Sequence, residues 1–290
     1  AAEIAYPFCD FIYILKNVRF FHFFVHLTHK YIVVYFYVVF ITRCYGYTTY
    51  FYFFRVIILI MTFYFFKSEQ LYGGKYMSKR TKLSDRTLPT YSKGEEIFNM
   101  VSHIVGGALG IAALVLCVIT AAKAGSVIGV VSSCIYGVTL IALYTMSSVY
   151  HGLRPGMAKK VMQVLDHCTI YFLIAGSYTP ILLVAMRPKY PALAWVLFGI
   201  VWGCAIIACA LTAIDLKKYS VFSMICYLAM GWTIIFFIKQ TYEVMSLGGV
   251  ILLVAGGVAY TVGSILYGLG KTKKWMHSIF HVFIVAGSIL

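Results

Sequence analysis

Seven long apolar stretches dominate the sequence from residue 97 onwards. They cover residues 97–122, 126–151, 163–186, 192–214, 220–238, 247–269 and 275–290. Each of the first six is close to the ~20 residues that a helix needs to cross a ~30 Å hydrocarbon layer. The seventh has 16 residues, so we expect this helix to be truncated. The chain is 62% hydrophobic and 11% charged, whereas soluble domains carry roughly 25% charged residues. The sequence therefore predicts an all-α integral membrane protein, a bundle of seven transmembrane helices.

The basic residues are distributed unevenly between the two ends of these stretches. Residues 77–96 and the loops after the second, fourth and sixth stretches hold thirteen Lys and Arg, whereas the remaining loops hold four. Because Lys and Arg are enriched in cytoplasmic loops, we expect a cytoplasmic N-terminus and an external C-terminus. The same asymmetry accounts for the net charge of +15 without a nucleic-acid partner, since the chain has no soluble basic domain.

The composition changes abruptly near Met77. Residues 1–76 hold 14 of the 22 Phe and 12 of the 24 Tyr but no Trp, and they show no helical or strand period. One hypothesis is that residues 1–76 are a spurious translation of an AT-rich region upstream of a Met77 start. The alternative is a genuine extension with one or two additional spans. Residues 77–96 are then a basic cytoplasmic tail, and residues 97–290 are the membrane domain.

Small residues recur inside the apolar stretches. The eight cysteines form no CxxC pair, and we interpret those in the apolar stretches as small buried hydrophobes, without disulfides or a zinc cluster. These are Cys117, Cys134, Cys168, Cys204, Cys209 and Cys226. Glycines such as Gly106 and Gly256 predict close helix packing, and Pro180 predicts a kink in the third helix.

Histidines and one aspartate cluster at one predicted depth of the membrane. His277 and His281 are four residues apart, so they lie on one helix face about one turn apart. His151 ends the second stretch, and Asp166 follows the start of the third. With the predicted orientation, all four lie near the cytoplasmic face. Three imidazoles with a carboxylate or water make a four-coordinate zinc site, although iron, copper or nickel remain open from residue type alone.

Each of these residues also has a purely structural interpretation. His151 could be an interfacial histidine at a helix end. Asp166 could be an N-terminal helix acid close to Lys159, Lys160 or Arg154, and Ser147 could bond a carbonyl one turn back. Their joint placement at one depth favours a metal site.

The sequence resembles the hemolysin III family in several ordered motifs. These are Asn99 with His103 followed by Gly106-Gly107, Ser147 with His151, Asp166-His167 leading into residues 171–180, and His277 with His281. This bacterial family is related to the progestin and adipoQ receptors and to alkaline ceramidases. The resemblance covers residues 97–290 and implies a multi-pass protein of the bacterial plasma membrane.

The resemblance also implies roles for individual residues. It implies that His151, His277 and His281 bind Zn²⁺, that Asp166 holds the metal-bound water, and that Ser147 supports the site. It gives His103 a supporting role at most. His167 is left out of the site, because adjacent residues point about 100° apart around a helix.

Three functions are compatible with this pattern. The first is a zinc-dependent hydrolase of lipid amide or ester bonds, since relatives of the family hydrolyse lipid amides, with substrate entering from the bilayer. The second is a membrane-lytic or channel-like hemolysin in which the zinc is structural. The third is a sensor that acts through the short tail. Membrane lipids are the expected partners, and the substrate and oligomeric state remain open.

Overall fold

The computed structural model describes residues 81–290, and within this range every regular element is helical. The hypothesis about residues 1–76 lies outside the described residues. The α-helices are α1 (Lys93–Lys123), α2 (Val127–Gly152), α3 (Met157–Pro180), α4 (Pro191–Ile214), α5 (Ser220–Gly231), α6 (Ile238–Val244), α7 (Leu247–Leu269) and α8 (Met276–Ile289). A π-helical segment, Ile181–Met186, extends α3, and a 3₁₀ segment, Trp232–Phe237, joins α5 to α6.

Six helical segments are long and apolar enough to cross a membrane. They are α1, α2, α3 with its π extension, α4, the continuous run from α5 to α6, and α7. The seventh, α8, is apolar but shorter, with 14 residues. The prediction of an all-helical membrane bundle is therefore confirmed. Its orientation in the membrane stays a prediction from the charge distribution.

The helix bounds match the apolar stretches closely, with two informative exceptions. The third helix begins at Met157, six residues before the predicted start, and the fifth span continues to Val244. Apolarity marks the part of a helix that lies in hydrocarbon, whereas a helix can continue into a polar turn. The first turn of α3 is such a turn, because it includes Lys159, which is buried against polar partners.

The start of α1 is fixed to the start of α8. Ser92 and Glu95 form a capping box, in which each side chain accepts a hydrogen bond from the other residue's backbone N–H. The second oxygen of the Glu95 carboxylate accepts a hydrogen bond from the Trp275 N–H at 2.6 Å. Trp275 has a left-handed backbone conformation (φ 65°) immediately before α8. The Glu95 carboxylate therefore joins the first turn of α1 to the residue that precedes α8.

Glycines allow the helices to approach closely where the sequence predicts it. A Cβ at Gly106 of α1 would lie 2.6 Å from the Tyr144 ring of α2, and one at Gly256 of α7 would lie 3.2 Å from the Gly287 carbonyl oxygen of α8. Helix α3 passes through Pro180 and continues as the π-helical segment, one of the recognised ways in which a helix accommodates proline. The six cysteines of the described residues are free thiols. The expectation that they are buried holds for Cys168 and Cys226 but is wrong for Cys117 and Cys134, whose side chains are exposed on the outside of the bundle.

This packing gathers four helix segments at one end of the bundle. Helix α1 packs extensively on α2, α2 on α3, and α7 on α8, while α8 also contacts α1. The beginnings of α1, α3 and α8 therefore meet the end of α2. We call this the basic end, because the Lys- and Arg-rich loops 153–156, 215–219 and 270–275 lie there.

Candidate metal centre

Three histidines from two helices come together at the basic end. His151 is the penultimate residue of α2, and His277 and His281 lie in the first two turns of α8. All three are buried, with 2%, 8% and 2% of their surface exposed. One nitrogen atom from each lies within 4.8 Å of the other two, and the Nε2 atoms of His277 and His281 are 3.1 Å apart. These three residues, which we call the histidine cluster, form a possible metal-binding group.

The donor atoms fit a metal ion. The Nε2 atom of His151 is buried and has no hydrogen-bond partner in the protein. Burying such a group unpaired costs about 1–3 kcal/mol, a cost that a metal–nitrogen bond would offset. Two nitrogen ligands on a tetrahedral zinc at ~2.05 Å would be ~3.3 Å apart, close to the spacing of His277 and His281. The all-nitrogen set suits zinc but does not identify the metal.

Two of the three imidazoles are held from behind by α1. The Nδ1 atom of His281 lies 2.7 Å from Nε2 of His103, and Nδ1 of His151 lies 2.6 Å from Oε2 of Glu96. An imidazole that donates from Nδ1 keeps the lone pair on Nε2 free. The Glu96 contact therefore favours the tautomer in which His151 presents Nε2 to an ion. The His103 contact is compatible with the same tautomer of His281, since either ring can be the donor.

Sequence reasoning missed Glu96, which the apolar boundary assigned to the tail. In the structure it lies in the first turn of α1, and its carboxylate also accepts from Lys159 Nζ at 2.6 Å. The signal was present in the spacing: Glu96, Asn99 and His103 are three and four residues apart, so they share one helix face. Asn99 is fully buried on that face, with its Nδ2 atom 3.5 Å from His151 Nδ1.

Asp166 and Ser147 lie beside the histidine cluster. Asp166 lies nine residues after the start of α3, deeper in its helix than predicted, because α3 begins earlier than the apolar stretch. Its side chain, 17% exposed, interacts electrostatically with His167 and His151 and lies near Ser147. Lys159 pairs with Glu96, so it does not act as the partner that the structural interpretation assigned to Asp166.

His167 makes its hydrogen bonds outside the histidine cluster, and its Nδ1 also lies 3.8 Å from Oδ2 of Asp166. Its Nδ1–H donates to the Gln163 carbonyl at 2.8 Å, so its Nε2 accepts from the Tyr267 hydroxyl at 3.2 Å. Both ring nitrogens therefore have partners on α3 and α7, which agrees with leaving this residue out of the site.

An aromatic ring covers the cluster on the side of the tail. The ring of Tyr91, just before α1, stacks on His277 with a centroid distance of 4.7 Å and an interplanar angle of 21°. Burial, together with the nearby Tyr267 and Glu96, holds the pKa of Tyr91 well above its usual range. The side chain is therefore neutral, and its ring packs against both His277 and His151.

Comparison with known proteins gives the family. The family model described as "Haemolysin-III related" matches residues 91–290. The chain belongs to the hemolysin III family. Among curated proteins, hemolysin-3 of Bacillus cereus is 38% identical over 196 residues, which are 68% of this chain and 88% of the relative. The hemolysin-3 homolog of Bacillus subtilis (strain 168) is also 38% identical, over 67% of this chain and 89% of the relative.

The hemolysin III family match spans every helix of the described bundle and the whole histidine cluster. A more distant relative is the human monocyte to macrophage differentiation factor, 26% identical over 54% of this chain and 66% of the relative. It represents the progestin and adipoQ receptor relatives that the motifs imply. No solved structure matches the chain.

Proposed function

We propose that this hemolysin III protein is a zinc-dependent hydrolase of lipid amide or ester bonds. The observation that carries the proposal is a buried group of three imidazoles, one of them with an unpaired Nε2, beside a carboxylate. Structural zinc sites are usually closed by four protein ligands, whereas catalytic sites have three and keep one position open. Three histidines next to Asp166 match the second arrangement.

Each residue of the site has a role in this proposal. Bound zinc would lower the pKa of a water molecule towards ~7 and polarise the substrate carbonyl. Asp166 would orient that water, accept its proton and pass the proton to the leaving group. Ser147, which lies near Asp166, would hold its carboxylate by a hydrogen bond. The amide or ester bond would be broken between the acyl carbon and its nitrogen or oxygen.

The position of α8 supports entry of substrate from the bilayer. On this helix His277 and His281 are buried, whereas Ile279 and Val282 on the other faces are 38% and 46% exposed. The histidines therefore lie on the inner face of a helix whose outer face is exposed, where it would meet hydrocarbon. A lipid could keep its acyl chain in the bilayer while its amide or ester group reaches the metal.

The test is metal analysis of purified protein combined with a screen of ceramide and phospholipid cleavage. We expect about one zinc per chain, and cleavage of at least one lipid class. The Asp166→Asn variant should keep the zinc and lose about 10²–10⁴-fold in kcat/KM, the range for a general base. Unchanged cleavage in this variant would exclude the mechanism, and zinc-loaded protein that cleaves no amide or ester would exclude the function.

The names of the relatives favour a second candidate. Both Bacillus proteins are called hemolysin-3 or its homolog, so membrane lysis with a structural metal is the alternative. Protein-dependent dye leakage from vesicles, with no lipid cleavage product, would support lysis. Leakage that appears only together with cleavage products would support the hydrolase.

A further inference from the structure

We propose that Glu96 is a positioning residue of the metal centre, holding His151 so that its Nε2 points to the ion. Glu96, on α1, would not bind the metal itself. It would instead orient His151, the ligand on α2. The inference rests on the proposed metal site but not on hydrolysis, so it can be tested by metal binding alone.

The carboxylate of Glu96 is used on both oxygens. Oε2 lies 2.6 Å from Nδ1 of His151, and Oε1 accepts from Lys159 Nζ, also at 2.6 Å. The His151 side chain is 0% exposed and that of Glu96 is 20% exposed. Charge-assisted hydrogen bonds this short and this shielded are the strong ones. The pair is therefore stable enough to set the orientation of the His151 ring.

The consequence for His151 follows from imidazole chemistry. A carboxylate accepts but cannot donate, so Nδ1 of His151 carries the proton and Nε2 carries the lone pair. A carboxylate behind a metal-bound histidine fixes the ring and increases its basicity. The same Nε2 is the buried atom without a protein partner. The contact with Glu96 thus leaves the lone pair of His151 Nε2 available, and no other protein group uses it.

Lys159 pairs with the other oxygen of the Glu96 carboxylate. Its ammonium group, on a residue that is 2% exposed, also donates to the Leu153 carbonyl at 3.1 Å. Leu153 follows directly after α2, so Lys159 ties the α2–α3 loop to Glu96. Glu96 therefore lies where α1, α2 and α3 meet, in direct contact with His151 of the histidine cluster.

A purely structural salt bridge is the competing explanation. In that case Glu96 would matter only because it pairs with Lys159 and joins α1 to α3. The two explanations differ for Lys159→Met, which removes the salt bridge and leaves the Glu96–His151 contact. They also differ for Glu96→Gln, which removes the charge but keeps an acceptor for His151.

The experiment measures Co²⁺ and Zn²⁺ binding to full-length, metal-stripped protein in detergent. Affinity comes from competition with a chelator, and ligand geometry from the visible absorption of bound Co²⁺. We expect Glu96→Gln to weaken metal binding about 10–100-fold and to alter the Co²⁺ spectrum, with Glu96→Leu weaker still. The matched control is Glu243→Gln, since Glu243 on α6 pairs with Lys189 as Glu96 pairs with Lys159, but lies outside the metal centre. It should bind within about threefold of wild type, a change of ~0.7 kcal/mol.

The outcomes separate the inference from the proposal beneath it. Wild-type affinity and spectrum in Glu96→Leu, which offers His151 no acceptor, would overturn the positioning role and leave the metal site standing. Equal losses in Glu96→Gln and Lys159→Met, with an unchanged Co²⁺ spectrum, would also overturn it in favour of the salt bridge. Wild-type protein whose Co²⁺ binding does not depend on His277 and His281 would overturn the metal site and the inference together.

Discussion

Two buried polar clusters in this bundle are built on opposite principles. The histidine cluster joins α2 and α8. A hydroxyl cluster joins α3, α4 and α5: the Tyr171 hydroxyl lies 3.0 Å from Thr212 Oγ1, which lies 3.0 Å from Ser223 Oγ. Both clusters are at most 8% exposed. In the hydroxyl cluster each hydroxyl has a protein partner, whereas in the histidine cluster the Nε2 of His151 has none.

We interpret this difference as one between polar groups that stabilise the fold and polar groups that are available to bind a ligand. In hydrocarbon no water satisfies a lone donor or acceptor, so hydroxyls on neighbouring helices pair and hold the helices together. An unpaired nitrogen at the same burial lowers stability unless a ligand occupies it. The unpaired Nε2 of His151, on a ring that contacts Glu96, fits the metal site proposed above.

The largest effect should come from removing the two histidines of α8. In His277→Ala/His281→Ala two of three proposed ligands are lost, so zinc should fall from about one per chain to near zero. Metal analysis of the purified variant measures this directly. Circular dichroism should show that the helices remain, because the apolar faces of α8 are unchanged.

The matched variant for this comparison is Tyr171→Phe/Thr212→Val, which removes two hydroxyls from the other cluster. It should keep its zinc, since neither residue contacts the histidine cluster. If this variant lost as much zinc as His277→Ala/His281→Ala, the contrast between the two clusters would be wrong. Both clusters would then be parts of one structural unit.

The sequence predicted the histidine cluster but not its support. Apolar length and charge placed His151, Asp166 and His277 at one depth, and helical spacing added His281. Glu96 was assigned to the tail, because hydropathy detects hydrocarbon and not the helix that continues beyond it. The hydroxyl cluster was also missed: Tyr, Thr and Ser carry no spacing signal, and their pairing depends on how α3, α4 and α5 rotate against one another.

A smaller effect is expected for Thr212→Val, which keeps the side-chain shape and removes the central hydroxyl. Two hydrogen bonds are lost, and the Tyr171 and Ser223 hydroxyls lose a common partner. We expect the free energy of unfolding to fall by about 1–3 kcal/mol, with zinc content unchanged. Denaturant unfolding in detergent measures the change.

Thr120→Val is the control for this variant. The Thr120 hydroxyl donates only to the Leu116 carbonyl of its own helix and is exposed. Its loss should change stability by less than about 0.5 kcal/mol. A similar cost at both positions would mean that the hydroxyl cluster contributes no stability of its own.

The smallest effect concerns Asp215, an anion at the basic end that is fully paired and so should behave like the hydroxyl cluster. Its carboxylate accepts from the backbone N–H groups of Thr81 at 2.9 Å and of Lys217 and Lys218 at 3.1 Å. Burial alone would raise the pKa of Asp215, but the hydrogen bonds from Thr81 and Lys218, helped by the nearby Arg86, lower it below its usual range.

Because the pKa of Asp215 is lower in the folded state, its contribution to stability is complete above the unfolded value of ~3.9. The contribution is lost as the pH falls through the lower, folded value. Asp215→Asn should therefore lower the melting temperature slightly at neutral pH, and the difference from wild type should shrink on acidification below about pH 4. Zinc content at neutral pH should not change.

Asp85→Asn removes the same charge from an exposed residue of the tail and controls for net charge. A difference between Asp215→Asn and wild type that grows on acidification would show that this carboxylate destabilises the fold when it is ionised, the reverse of what a fully paired group should do.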